Sequence, residues 1–154
     1  MATIWLTIAS PTTEAVVNPL LAACDDHFVP DEIHLLTNPG LDHVTPTLVS
    51  LLEDVVATYD TTATVDTHRL EAETDYGAIA SFFVDSIATG TTDDTVAIDI
   101  TPGRKFMSAI AFQAGLKHGA DHVFYLHLQS TAYGRCYPDI PRTNVDLVDF
   151  TEVV

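Results

Sequence analysis

Short apolar, β-branched runs alternate along this chain with longer stretches in which apolar residues recur every three or four positions, and that alternation predicts its elements. Thr3–Ala9 (TIWLTIA) reads as a buried first strand, stopped by Ser10-Pro11-Thr12-Thr13. Ser10 stands where an N-cap is expected, with Pro11 at the first helical position. Val16, Val17, Leu20, Leu21 and Cys24 then form a helical stripe, in which Pro19 predicts a kink or a late start. Glu32–Thr37 (EIHLLT) reads as a second strand ending in the turn Asn38-Pro39-Gly40. Thr45-Pro46 is expected to cap a helix carrying Leu48, Val49, Leu51, Leu52, Val55 and Val56. Thr62–His68 (TATVDTH) alternates like a strand with one wetter face, the pattern of a sheet edge. Tyr76, Ile79, Ala80, Phe82, Phe83 and Ile87 give a third helix, closed by Gly90.

The next unit, Thr95–Lys117, is a strand (Val96, Ala97, Ile98, Ile100), a polar turn, and a helix whose apolar face holds Met107, Ile110, Ala111, Ala114 and Gly115. Gly119 ends that helix, and His122–Leu128 (HVFYLHL) supplies a fifth strand. Five strands alternating with helices predict an α/β, Rossmann-like three-layer sandwich with a mostly parallel sheet in the order 3-2-1-4-5. Asn144–Phe150 (NVDLVDF) alternates as a sixth, C-terminal strand would. In that order the chain turns back between strands one and four, so Ser10 and the Thr101–Lys105 turn flank one crevice at the carboxyl ends.

At 154 residues and 47% hydrophobic content the chain has the size of one domain with a full core. Residues 1–154 are therefore read as a single domain, with its core over 3–128 and an extension over 129–154. Twenty-two Asp+Glu against six Lys+Arg give a net charge of −16, a surface that repels long nucleic acids and membrane headgroups. The same excess suggests a protein adapted to high salt, where self-repulsion is screened within about 3 Å at 1 M. Two cysteines, Cys24 and Cys136, are too few for a disulfide framework or a zinc site, which fits a reducing cytoplasm. His118, His122 and His127 lack a shared ligand spacing, so neither a metal nor a cofactor is expected.

Against this acidic background two of the six cations, Arg104 and Lys105, stand side by side at a helix start. A helix start already carries partial positive charge, so the pair is disfavoured by roughly 0.3–1 kcal/mol per charge unless an anion joins it. That makes the turn a candidate anion site; solvated side chains or pairing with nearby carboxylates is the plainer alternative. Tyr133-Gly134-Arg135-Cys136-Tyr137 places another cation between aromatics, a pattern for stacking on a base or for local packing.

The segment Asp99-Ile100-Thr101-Pro102-Gly103-Arg104-Lys105-Phe106-Met107 resembles the fourth-strand motif of CARF domains, the CRISPR-associated Rossmann-fold ligand sensors, whose usual form is Asp-x-Thr-Gly-Gly-x-Lys-x-Met. Asp99, Thr101, Gly103, Lys105 and Met107 match. Pro102 replaces the first Gly and removes one N–H donor, while Arg104 replaces a small residue and brings a planar, bidentate phosphate contact. The similarity extends over about residues 3 to 128 in the order of elements.

This resemblance implies a homodimer that receives a cyclic oligoadenylate, with cyclic tetra-adenylate expected first. The implied ligand-binding residues are Ser10, Pro11, Thr12, Thr37, Asn38, Thr101, Pro102, Gly103, Arg104, Lys105 and Met107. Two functions stay open. One is a stand-alone ring nuclease that needs no metal, with Lys105 and Arg104 stabilising charge and Ser10 aligning the phosphate. The other is a sensor or sink acting with a separate effector. An unrelated Rossmann-like nucleotide-binding enzyme is a more distant alternative, and Asp99 is expected to brace the turn rather than act as a base.

Overall fold

The computed structural model describes residues Met1 to Val154. Six strands form one sheet: β1 (Thr3–Ile8), β2 (Glu32–Thr37), β3 (Thr64–Arg69), β4 (Thr95–Asp99), β5 (His122–Leu128) and β6 (Val145–Asp149). Their order is β3-β2-β1-β4-β5-β6, with the first five parallel and β6 antiparallel to β5. The expected order of five strands and the added sixth are thus both present. The helices are α1 (Thr13–Asp25), α2 (Thr45–Ala57), α3 (Tyr76–Thr89), α4 (Lys105–His118) and the single turn α5 (Phe150–Val153).

The alternating side chains of the strands build two cores. Ile4, Leu6, Ile8, Val96 and Ile98 face α3 and α4, with Phe83, Ile79, Met107 and Ala111 packed on them. Trp5, Ile33, Leu35 and Ala97 face α1 and α2, meeting Val16, Leu20, Leu48 and Leu52. The central strands are buried on both faces, as a parallel sheet between helix layers requires. β3 is largely exposed, consistent with the edge position its wetter pattern predicts.

Three local expectations are corrected. Ser10 is not the helix N-cap: α1 starts at Thr13 with Thr12 as cap, and the Ser10 hydroxyl instead accepts the Thr12 N–H at 3.2 Å. The chain needs Pro11 and Thr12 to turn out of the buried strand before helical geometry begins. Pro19 does not delay the helix, which starts six residues before it and holds it buried within α1. Thr45 is the first residue of α2 rather than its cap, because its hydroxyl donates to the Leu41 carbonyl at 2.8 Å and meets the Thr37 hydroxyl at the same distance.

Residues after β5 cross α1 before returning as β6. Asn18, buried within α1, clips them in place: its amide donates to the Arg135 carbonyl and its carbonyl oxygen accepts the Tyr137 N–H, each at 2.8 Å. Asp149 fastens the returning strand, accepting from His122 at 2.7 Å, Val123 N–H at 3.1 Å and the Thr151 hydroxyl at 2.8 Å. Burial pushes the Asp149 carboxyl up, but these hydrogen bonds outweigh it and hold the group below the usual carboxylate range.

Candidate functional site

The strand order reverses between the parallel neighbours β1 and β4, and this leaves a crevice at their carboxyl ends, of about 470 Å³. Ala9, Ser10 and Pro11 form one wall, Gly103, Arg104 and Met107 the facing one, and Asn38, Gly40, Leu41, His43 and Glu73 complete the rim. Gly103 lets the two walls approach. Its φ is +91°, and a Cβ there would lie 2.8 Å from Ile8 Cγ2, so a side chain meets both backbone strain and a clash.

The α4 N-terminus opens here. Arg104 is its N-cap residue, no side chain caps its free N–H groups, and no acidic residue lies in the first turn. These N–H donors and the partial positive charge they carry can be met by an anion. Lys105 is exposed at the first helical position and joins none of the ion pairs, whereas Arg104 Nε lies 3.3 Å from Glu73 Oε1. Glu73 therefore acts as an internal counter-ion at the mouth of the crevice. Both side chains of that pair are substantially exposed, so solvent weakens it.

Beneath the turn, Asp99 is fully buried. Its carboxylate accepts the Thr101 N–H and the Thr7 hydroxyl, each at 3.0 Å. Burial pushes the carboxyl up to about 7, against the opposing pull of the Thr101 and Thr7 hydrogen bonds. Asp99 does not line the crevice, which fits the bracing part expected of it. Thr101 is tied down as well, its hydroxyl accepting the Leu126 N–H at 2.9 Å and so prolonging the β4–β5 ladder by a side chain.

The residues singled out in the sequence do not all meet. Ser10, Pro11, Asn38, Gly103, Arg104 and Met107 line the crevice, whereas Lys105, expected among them, stands exposed beside it and is not part of its lining. Thr37 is buried just below it, and Pro102 is buried inside the turn. Asn38 forms its own turn, accepting the Gly40 N–H at 3.0 Å. Thr12 and Thr101 instead line a neighbouring cleft of about 270 Å³, with Asn18, Tyr125 and Tyr133. In the aromatic run, Arg135 turns back to the Asp139 carbonyl and the Tyr137 hydroxyl donates to Asp25 at 3.0 Å. Local packing thus accounts for both; Tyr133 stays 68% exposed at the second cleft.

His43 and Glu73 are crevice residues that sequence reading missed. Both come from connecting segments without a motif, and only the sheet order brings those segments to the β1–β4 reversal.

No family model matches the sequence, and no curated protein matches it. Solved structures do match in fold. One is a type III CRISPR defence DNA nuclease activated by cyclic oligoadenylate, with a TM-score of 0.62 and 17% identity over 83% of this chain and 19% of that one. Another is the protein VC1899 from Vibrio cholerae, with a TM-score of 0.60 and 18% identity over 80% of this chain and 30% of that one. A third is Enterococcus italicus Csm6 bound to cyclic hexa-2'-fluoro-hexa-dAMP, with a TM-score of 0.61 and 9% identity over 99% of this chain and 42% of that one. The chain thus spans less than half the length of each. At such identities the likeness is one of fold, a Rossmann-type α/β domain. No helix is long and apolar enough to cross a membrane.

Proposed function

We propose that this chain recognises a cyclic oligoadenylate, cyclic tetra-adenylate first among them, in the crevice between the Ser10 loop and the Thr101–Lys105 turn. The observation that carries this reading is the uncapped α4 N-terminus with Arg104 and Lys105 beside it, opening on a crevice in an otherwise strongly acidic chain. Phosphate satisfies the free N–H groups and the two cations together. The ligands named for two of the similar structures, a cyclic oligoadenylate and a cyclic hexanucleotide analogue, point to the same chemistry.

The ring has rotational symmetry, so a homodimer that joins two crevices across a two-fold axis suits it. Tyr76, 54% exposed, packs edge-on to Phe106 of α4 with ring centroids 5.3 Å apart. Burying this aromatic pair in a two-fold contact would bring two α4 N-termini close together.

A second reading adds cleavage, and the unpaired state of Lys105 favours it. A ribose 2′-oxygen attacks the adjoining phosphorus as the bond from phosphorus to the 5′-oxygen breaks, solvent takes the 2′ proton and returns one to the departing 5′-oxygen, and the products are a 2′,3′-cyclic phosphate and a 5′-hydroxyl. The chain's contribution is alignment by Ser10 and the turn N–H groups, and charge stabilisation by Lys105 and Arg104.

Calorimetric titration with cyclic tetra-adenylate at molar salt tests recognition, with one ring per two chains expected and AMP far weaker. No heat with either the tetra- or the hexa-adenylate ring would discard the reading. Incubation with chelator then separates the two functions: products from the ribose ring, but none from a ring with 2′-fluorine, establish cleavage by the 2′-oxygen. An intact ribose ring leaves a sensor.

A further inference from the structure

A third cleft, of about 370 Å³ and sharing no lining residue with the crevice, lies where β2, β3 and α3 meet. Glu32, His34, His68 and Asp85 line it. His34 is on β2 and His68 on the edge strand β3, two residues beyond the position paired with His34, so both side chains emerge on the same sheet face.

The two imidazoles meet through ring nitrogens, His34 Nδ1 and His68 Nε2, at 3.0 Å. The other nitrogen of His34, Nε2, lies 3.3 Å from Glu32 Oε2. A carboxylate in that place accepts the Nε2–H, which leaves Nδ1 with its lone pair directed at His68, whose Nε2–H donates to it and passes to Nδ1 of the same ring when a cation takes its place. This is how a neighbouring carboxylate orients a histidine that binds metal. On His68 the ring packs edge-on against Phe82, centroids 5.1 Å apart, so its orientation is also held.

We propose that His34 Nδ1 and His68 Nε2 bind a late first-row divalent cation such as Zn2+, with solvent completing its coordination. Two nitrogens on one tetrahedral zinc at about 2.0–2.1 Å stand about 3.3 Å apart, so the observed pair needs to open only slightly. Imidazole selects zinc, nickel and copper over magnesium and calcium. The carboxylates of Glu32 and Asp85 supply negative charge around the cation. No third side chain stands within ligand geometry, so the site is of the weak, exchangeable kind that leaves open positions. Bound there, the cation joins the exposed edge strand to its neighbour and strengthens β3, which has a sheet partner on one side only.

The test uses the full chain, stripped of metal and titrated with Zn2+ by calorimetry and thermal unfolding. One zinc per chain, with a rise in Tm that Mg2+ does not give, is expected. His68→Gln, exposed on the edge strand, should weaken Zn2+ binding at least tenfold, while a His118→Gln/His127→Gln double variant should keep wild-type affinity. Electron paramagnetic resonance of the Cu2+ form should show coupling to two imidazole nitrogens in the wild type and to one in His68→Gln. Unchanged zinc affinity and an unchanged copper spectrum in His68→Gln would overturn the proposal, as would the absence of any zinc binding by the wild type.

Discussion

The Thr7 hydroxyl of β1 donates to the Asp99 carboxylate of β4 at 3.0 Å, joining two fully buried side chains 92 positions apart directly beneath the crevice. Asp99 holds the Thr101 N–H with its other oxygen, so this one carboxyl couples the central strands to the turn that presents Arg104 and Lys105.

That coupling is pH-dependent. The folded state raises the Asp99 carboxyl from 3.8 to about 7, so between these values the native protein binds more protons than the unfolded chain. Its contribution is fully present below pH 3.8 and is lost as pH rises through about 7. The Tm of the wild type relative to Asp99→Asn should therefore fall across that window and level off above it. An identical pH profile in the two proteins would show that Asp99 is not the source.

Gly103→Ala meets the Ile8 side chain and a left-handed backbone at once. Strain of this kind costs about 1–3 kcal/mol. Urea unfolding should read a loss in that range, and ring affinity should drop because the added methyl displaces the turn from the Ser10 loop. A fully stable variant with wild-type ring affinity would contradict the packing described for this position.

Glu73 neutralises Arg104 at the mouth of the crevice. Glu73→Gln should therefore tighten binding of an anionic ring by a few-fold, matching the ~0.3–1 kcal/mol of an exposed pair, with the gain shrinking as salt rises. Weaker binding in the variant would instead make Glu73 a ligand contact.

If the ring is cleaved, Lys105→Ala should lower turnover by roughly two to three orders of magnitude, the usual effect of removing one preorganised charge stabiliser. Its Kd should change far less. Ser10→Ala should slow the same step through lost alignment. Single-turnover rates beside equilibrium titrations read both quantities, and a Lys105 effect confined to Kd would assign the residue to binding alone.

The charge of −16 leads to an expectation about solvent. Tm should rise steeply between about 0.1 and 2 M KCl, most of it at the low end where screening changes fastest. A flat profile would mean that the acidic surface carries no adaptation to salt.

The sheet order is legible because β1, β2, β4 and β5 each have an apolar run, β3 shows strand-like alternation, and a helix follows each of the first four strands. The start of β3 falls at Thr64 rather than the expected Thr62, because an exposed edge strand lacks the apolar contrast that marks its ends. Ser10 looks like a cap in the sequence because cap chemistry is local, whereas the exit angle from β1 is set by neighbouring strands. The Arg104–Lys105 turn stands out through charge scarcity and motif together. Its counter-ion Glu73 does not, since one acid among many carries no sign of the long-range contact that selects it. The hydroxyl of Thr101 illustrates the same limit: a residue matched to a ligand motif is held by a backbone N–H of β5.

Gly115 gives α4 an anchor at the end far from the crevice. A Cβ there would lie 2.7 Å from Val123 Cγ2 and 3.1 Å from Ile98 Cδ1, so the helix rests on the sheet at this point with backbone-close contact. Lys105 begins the helix ten residues earlier, about 15 Å away along the axis. The helix is in effect a pointer pivoted at Gly115, and a tilt of about 4° there sweeps its charged tip by about 1 Å, a displacement that can cost a reaction about a hundredfold. The aim of the crevice is therefore set as much by an absent side chain on the sheet floor as by any residue the ligand would touch.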